Sequence, residues 1–169
     1  MHAQDGVGSV LTDVSRRSYS AAHMEITGTV GALLHNKSGE VWSLDPSASV
    51  YEAIRLMAEK SVGALLVMRD AKLAGIVSER DYARKVVLQG RDCNKTPVSE
   101  IMTAEVITVT PQHTVEECMR IVTEKRIRHL PAVDGDLVVG IVSIGDLVNW
   151  LLTQQQETIR HLEAWISAT

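Results

Sequence analysis

Two Ser-x-x-Asp pairs are the residues in this chain best placed to do chemistry: Ser78 with Asp81, and Ser143 with Asp146. Each serine ends a short apolar run, Gly75-Ile76-Val77-Ser78 and Gly140-Ile141-Val142-Ser143, that reads as strand. Helical spacing begins just after it. A strand-to-helix junction gathers backbone N–H groups and the positive end of the helix dipole, which favours an anion. An acid three residues on, about one turn along, faces the same side and can accept hydrogen bonds from two hydroxyls. A plainer reading stays open, in which Ser-x-x-Asp is only a helix cap. Cations lie close by in sequence. Arg80 stands beside Asp81, and Arg126, Arg128 and His129 precede the second hairpin. Arginine holds phosphate in bidentate fashion, so these are candidate phosphate ligands. Arg126 and Arg128 read otherwise as a solvated helix end. His129 reads equally as a phosphate contact and as a core histidine satisfied by a backbone carbonyl.

Other reactive types are present without a working arrangement. His113, His129, Cys93 and Cys118 form no nucleophile–base pair and no metal-ligand spacing, so neither catalysis nor a metal site is expected. Two cysteines make no disulfide framework and suit a reducing compartment. Cys118 falls on an apolar helix face and should be buried, whereas Cys93 lies in a polar stretch. The net charge of −4 argues against nucleic acid or an anionic membrane as partner. No stretch approaches the roughly 20 apolar residues of a membrane span. Residues 1–24 read as a disordered leader or a cloning remnant. The cytoplasm is the expected location, or an organelle matrix if that leader is a transit peptide.

The elements that must position these side chains repeat. Val41–Tyr82 aligns without a gap on Val106–Leu147, with 13 of 42 pairs identical. A repeat sets the unit of folding and leaves clefts between the copies. In the first copy Val41–Leu44 is extended and stopped by Asp45-Pro46. Val50, Ala53, Ile54 and Met57 then recur at helical spacing up to Lys60, and Gly63 is expected to permit the turn out. Ala64–Met68 and Leu73–Val77 read as a hairpin, and Glu79–Leu88 as a second helix. The second copy runs Thr108–Pro111, a helix stripe of Val115, Cys118, Met119 and Val122, and a hairpin turning at Asp134-Gly135. A lead-in is duplicated as well, Val30–Leu34 matching Val98–Met102, with three extra residues in the first copy within Asn36–Glu40. The fold class is therefore α/β (α+β), a tandem of β-α-β-β-α units packed as one pseudo-twofold body. The sequence divides as a first domain over 25–90, a second over 97–153 and a C-terminal helix over 154–169.

These features resemble a pair of CBS domains, named after cystathionine β-synthase, arranged as a Bateman module. The resemblance rests on Ser43 and Thr108 three residues before a proline, on the Leu130-Pro131-Ala132-Val133 strand, and on Gly75-Ile-Val-Ser-Glu-Arg-Asp81 with Gly140-Ile-Val-Ser-Ile-Gly-Asp146. It covers about Val30–Leu152. It implies binding of an adenosyl ligand: AMP, ADP or ATP, sometimes NAD or S-adenosylmethionine. Asp81 and Asp146 would then accept the ribose hydroxyls, with Ser43, Thr108, Ser78 and Ser143 nearby. Adenine would slot among strand residues such as Leu65, Leu130 and Pro131 and be read by backbone groups. Gly63 and Ala64 stand where the second copy has Arg128 and His129, so the two clefts should differ. The modest supply of arginine favours AMP or a dinucleotide over a triphosphate.

The resemblance implies a ligand-sensing regulatory module, not an enzyme, that reports its bound state to an unknown partner protein. The alternative is a dimerising scaffold with vestigial clefts. The C-terminal helix carries Leu151, Ile159, Leu162 and Ile166, flanked by Trp150 and Trp165, a stripe too long for one module to cover. It points to a homodimer, or else to a helix folded back on its own module.

Overall fold

The computed structural model describes residues 27–37 and 39–167. The expected leader over 1–24 lies outside them. A lead-in helix α1 (Val30–Asn36) is capped by Thr29, whose hydroxyl accepts the N–H of Ala32 at 3.3 Å. The first repeat follows as β1 (Ser43–Leu44), α2 (Val50–Lys60), β2 (Ala64–Arg69), β3 (Lys72–Ser78) and α3 (Glu79–Lys85). The second supplies α4 (Val115–Lys125), β4 (His129–Asp134), β5 (Leu137–Ser143) and the long α5 (Ile144–Ser167). Its opening segment pairs with β4 only through a parallel bridge, Val109 to Ala132.

The two copies match in detail. The β2–β3 hairpin sets Ala64 opposite Ser78, and the β4–β5 hairpin sets His129 opposite Ser143. Each has a bulge at the same place, Val67/Met68 and Ala132/Val133. Helices α2 and α4 begin with identical devices. Ser49 and Thr114 accept the N–H of Glu52 and Glu117, whose carboxylates reach back to the N–H of the capping residue. These N–H and hydroxyl bonds hold both glutamates below the usual carboxylate range. The chain leaves α2 and α4 through Ser61 and Arg126, both left-handed at φ 54°. The expected turning residue, Gly63, has an ordinary φ. Helix α3 also ends earlier than expected, at Lys85. Val86 turns inward to 2% exposure, and a separate 3-10 turn covers Val87–Gln89.

Two cores form, and the lead-ins are exchanged between them. Val98 and Ile101, from the segment before the second repeat, pack with Val50, Ala53, Met57, Leu65, Val67 and Val77 of the first. Val30 and Leu33, from before the first repeat, pack with Val115, Cys118, Val122, Leu130 and Val142 of the second. Backbone bonds fasten the exchange: Val30 N–H to His113 O at 2.8 Å and Val98 N–H to Ala48 O at 2.8 Å. The glycines of the two Gly-Ile-Val-Ser runs admit these crossings. A Cβ on Gly75 would lie 2.6 Å from Met102 Sδ, and one on Gly140 would lie 2.6 Å from Leu34 Cδ2. Each fully buried leucine or valine contributes about 1.5–3 kcal/mol, and breaking the exchange would expose part of both cores.

Candidate functional site

The end of β3, the start of α3, the linker after the second lead-in and the end of α4 enclose a cavity of about 240 Å³. Ser78, Arg80 and Asp81 reach it from the first repeat, and Arg126, Arg128 and His129 from the second. Both repeats therefore build one cleft, with three arginines at its wall. Arg80 is oriented by a bond from its guanidinium to the carbonyl of Arg126 at 3.0 Å. The apolar lining comes from Ile76, Val106, Ile107 and Ile127. Ile76 and Thr103 exchange backbone bonds of 3.0 and 2.8 Å, which fixes the linker against β3.

Ser78 and Asp81 are already bonded to each other. The Ser78 N–H and hydroxyl donate to Asp81 Oδ2 at 3.0 and 2.7 Å, and Ser78 Oγ accepts the N–H of Asp81 at 3.3 Å. The other carboxylate oxygen of Asp81 takes the Lys85 ammonium at 2.8 Å, and that ammonium also donates to Ile101 O at 2.6 Å. The pair is thus a helix cap that also borders the cleft. A carboxylate offers about four acceptor positions, so the cap does not exhaust it.

Ser143 and Asp146 repeat the cap at the start of α5. The Ser143 N–H and hydroxyl both donate to Asp146 Oδ2 at 2.7 Å. Lys37, from the insertion after α1, donates to the same oxygen at 2.7 Å and to Ile141 O at 3.0 Å. Burial would raise the Asp146 carboxyl, but the Lys37 ammonium and the two Ser143 bonds outweigh it and hold it below the usual range. The cavity beside Lys37 and Gly140 is only about 50 Å³. A wider groove of about 340 Å³ between α1 and α5 is lined by Lys37 and Asp146 themselves, with Asn36, Asn149, Trp150 and Glu157.

His129 stands between the two regions. Burial first, then the charges of Arg128 and Lys37, push its pKa down, against a weaker upward pull from Asp146. A Cβ at position 63 would lie 3.5 Å from Glu79 Oε2 and 3.7 Å from the His129 ring, ordinary contact distances, so Gly63 lies against both. Ala64 is buried in β2.

The remaining sequence candidates lie elsewhere. Leu65 and Leu130 are fully buried core residues, and Pro131 is buried in β4 with its carbonyl accepting Val109 N–H at 3.0 Å. None of the three lines the 240 Å³ cleft, whose apolar walls are Ile76, Val106, Ile107 and Ile127 instead. Ser43 is exposed and Thr108 half-buried, and neither lines that cavity. Sequence reasoning missed Lys37, Lys85, Thr103 and Val106-Ile107. The one signal for Lys37 was its place in the only insertion between the two copies. Among the described residues no cluster of three His, Cys, Asp or Glu side chains is placed to hold a metal ion, and no helix is long and apolar enough to cross a membrane.

A doubled β-α-β-β-α body with exchanged lead-ins and a cleft built by both copies defines a class, the paired CBS module. Comparison with known proteins agrees: a sequence model of the CBS domain matches residues 34–88 and 98–153, and the chain belongs to that family. A mitochondrial CBS domain-containing protein of Arabidopsis thaliana, CBSX3, is 42% identical over 123 residues, 70% of this chain and 60% of that relative's length. A CBS-domain protein of Burkholderia ambifaria, named for signal transduction, is 49% identical with a TM-score of 0.73, covering 76% of this chain and 96% of that one. The CBS domain pair of protein MJ0100, in complex with 5′-methylthioadenosine and S-adenosyl-L-methionine, is 27% identical with a TM-score of 0.67, covering 75% and 98%.

Proposed function

We propose that this chain is a regulatory module that binds an adenosyl nucleotide, AMP foremost, in the cleft between its repeats and passes the bound state to a partner protein. One observation carries the reading: Ser78, Arg80 and Asp81 of one repeat and Arg126 and Arg128 of the other line a single cavity with apolar walls. Guanidinium groups suit a phosphate, the carboxylate suits a ribose diol and the aliphatic walls suit a purine face. A space of about 240 Å³ suits one nucleoside better than a dinucleotide. The adenosyl ligands of the MJ0100 domain pair support the ligand class. Binding that differs between two arrangements of the repeats would shift their balance and so reach a partner.

A ligand that binds only the folded state raises its melting temperature by mass action. AMP, ADP, ATP, NAD and S-adenosylmethionine at millimolar concentration are the panel, and AMP is expected to give the largest rise. If none shifts the transition, the scaffold reading with vestigial clefts takes its place. A homodimer completes the proposal, through the outer face of α5. Ile144, Val148, Leu152, Ile159 and Ile166 are all exposed there in the single chain.

A further inference from the structure

We propose that Glu105 sets how many phosphates the cleft accepts, favouring a nucleoside monophosphate over the di- and triphosphate. The inference rests on the nucleotide reading above and deepens it, because it names what selects within that ligand class. Glu105 lines the cavity of about 240 Å³ together with Arg80, Arg126 and Arg128. Among the described residues its carboxylate makes no hydrogen bond or ion pair. No ion pair of those residues includes one of the three arginines. One carboxylate and three guanidiniums thus share a cavity without neutralising each other.

The backbone fixes where that acid stands. On one side of it Ile76 and Thr103 exchange bonds of 3.0 and 2.8 Å, and on the other Val109 N–H donates to Pro131 O at 3.0 Å. Between these anchors Val106 N–H donates to Ala104 O at 3.0 Å, a three-residue turn with Glu105 at its centre. Glu105 is exposed as well as lining the cavity, so it stands at the mouth. The other charges can be counted. Asp81 is already met by the Lys85 ammonium at 2.8 Å, and burial favours the neutral ring of His129. The three arginines and Glu105 then leave about two positive charges in the cleft. A phosphomonoester carries about −1.5 to −2 at pH 7 and matches them. A further phosphoryl group adds negative charge with no cation left to meet it, and a carboxylate waits at the mouth. Like charges in a cleft interact at an effective dielectric below that of water, enough for about a tenfold effect on affinity.

Calorimetry with AMP, ADP and ATP tests this, without magnesium, which would mask the phosphate charge. The native chain should bind AMP at least about tenfold more tightly than ATP, with ADP between them. Glu105→Gln should shrink the ratio of the ATP to the AMP dissociation constant by about tenfold, and Glu105→Lys should shrink it further. Glu116→Gln makes the same change of net charge at the exposed start of α4, the opposite end of that helix from Arg126, and should keep the native ratio. Glu105 is exposed and its turn is closed by backbone bonds, so its variants are expected to fold, and either one decides. A native chain that binds ATP as tightly as AMP would overturn the inference and leave the nucleotide reading standing. So would variants at Glu105 that tighten all three nucleotides alike, or a Glu116→Gln chain whose ratio shrinks as much. Binding of none of the three by the native chain would overturn the nucleotide reading, and this inference with it.

Discussion

Asp81 and Asp146 make the same bonds to the backbone and different bonds to lysine: Lys85 of its own helix meets Asp81, and Lys37 from beyond α1 meets Asp146. The aspartates and serines were legible in the sequence because duplication set them apart from ordinary caps. Lys37 was not, because its role depends on where an insertion ends in space. Leu65 and Leu130 were expected at the ligand because apolar strand residues suit adenine. Their strands are buried on both faces, so alternation along the sequence does not tell the cleft side from the core side. His129 gives a pH dependence. Its folded-state pKa lies below the ordinary 6.5, so the folded chain favours the neutral ring. The unfolded chain then binds the proton more readily, and stability rises with pH. The contribution is fully present above about pH 6.5 and is lost as pH falls through the lowered value. Melting curves between pH 7.5 and 5.5 should show a declining transition temperature, with a shallower decline in His129→Gln. Equal slopes in the two proteins would show that His129 is not the group responsible. Carboxylates with lowered values, such as Glu52, Glu117 and Asp146, titrate below that window.

The elements came through from sequence better than the way they meet. Helical spacing located α2 and α4, and turn residues located both hairpins, with left-handed Asp70-Ala71 in one and Gly135 in the other. The exchange of lead-ins was not legible. Val30 finds its core about 80 residues downstream, and no local pattern encodes a partner that distant. The turn out of α2 falls on Ser61 rather than Gly63, because αL geometry is set at the helix cap and an exposed serine can adopt it at modest cost. Caps tie the elements to function. Asp81 closes the first turn of α3 and also borders the proposed ligand cleft, so Asp81→Ala should have two separable effects. Losing the cap should cost about 1 kcal/mol of stability, read by chemical denaturation. Losing a charge-assisted bond to ribose should weaken AMP binding roughly tenfold to a hundredfold, read by calorimetry. A stability loss with unchanged affinity would reduce Asp81 to a helix cap.

At the scale of the whole molecule, α5 is the part that a single chain leaves unfinished. The CBS match ends at residue 153, while the helix continues to Ser167. Trp150 and Leu151, expected on an outward stripe, are half-buried, and the Trp150 indole donates to Thr27 O at 2.9 Å. The side chain of Leu162 lies outside those described. The outward face instead runs through Ile144, Val148, Leu152, Ile159 and Ile166, from 44% to 77% exposed. These positions recur at intervals of four and seven, which keeps them on one side of a helix over roughly 33 Å. An apolar stripe of that length left in water is unfavourable, and a second copy would cover it with the same surface. The proposed homodimer should therefore depend on the distal half of α5. The proposed nucleotide cleft, made by β3, α3, the linker and the end of α4, should not. Removing residues 153–169 is expected to shift the chain from dimer towards monomer in light scattering at tens of micromolar, with AMP affinity changed less than threefold. A full-length chain that is already monomeric at that concentration would assign the stripe to something other than self-pairing. A truncated chain that stays dimeric would place the interface on the module itself, at Ile144 and Val148.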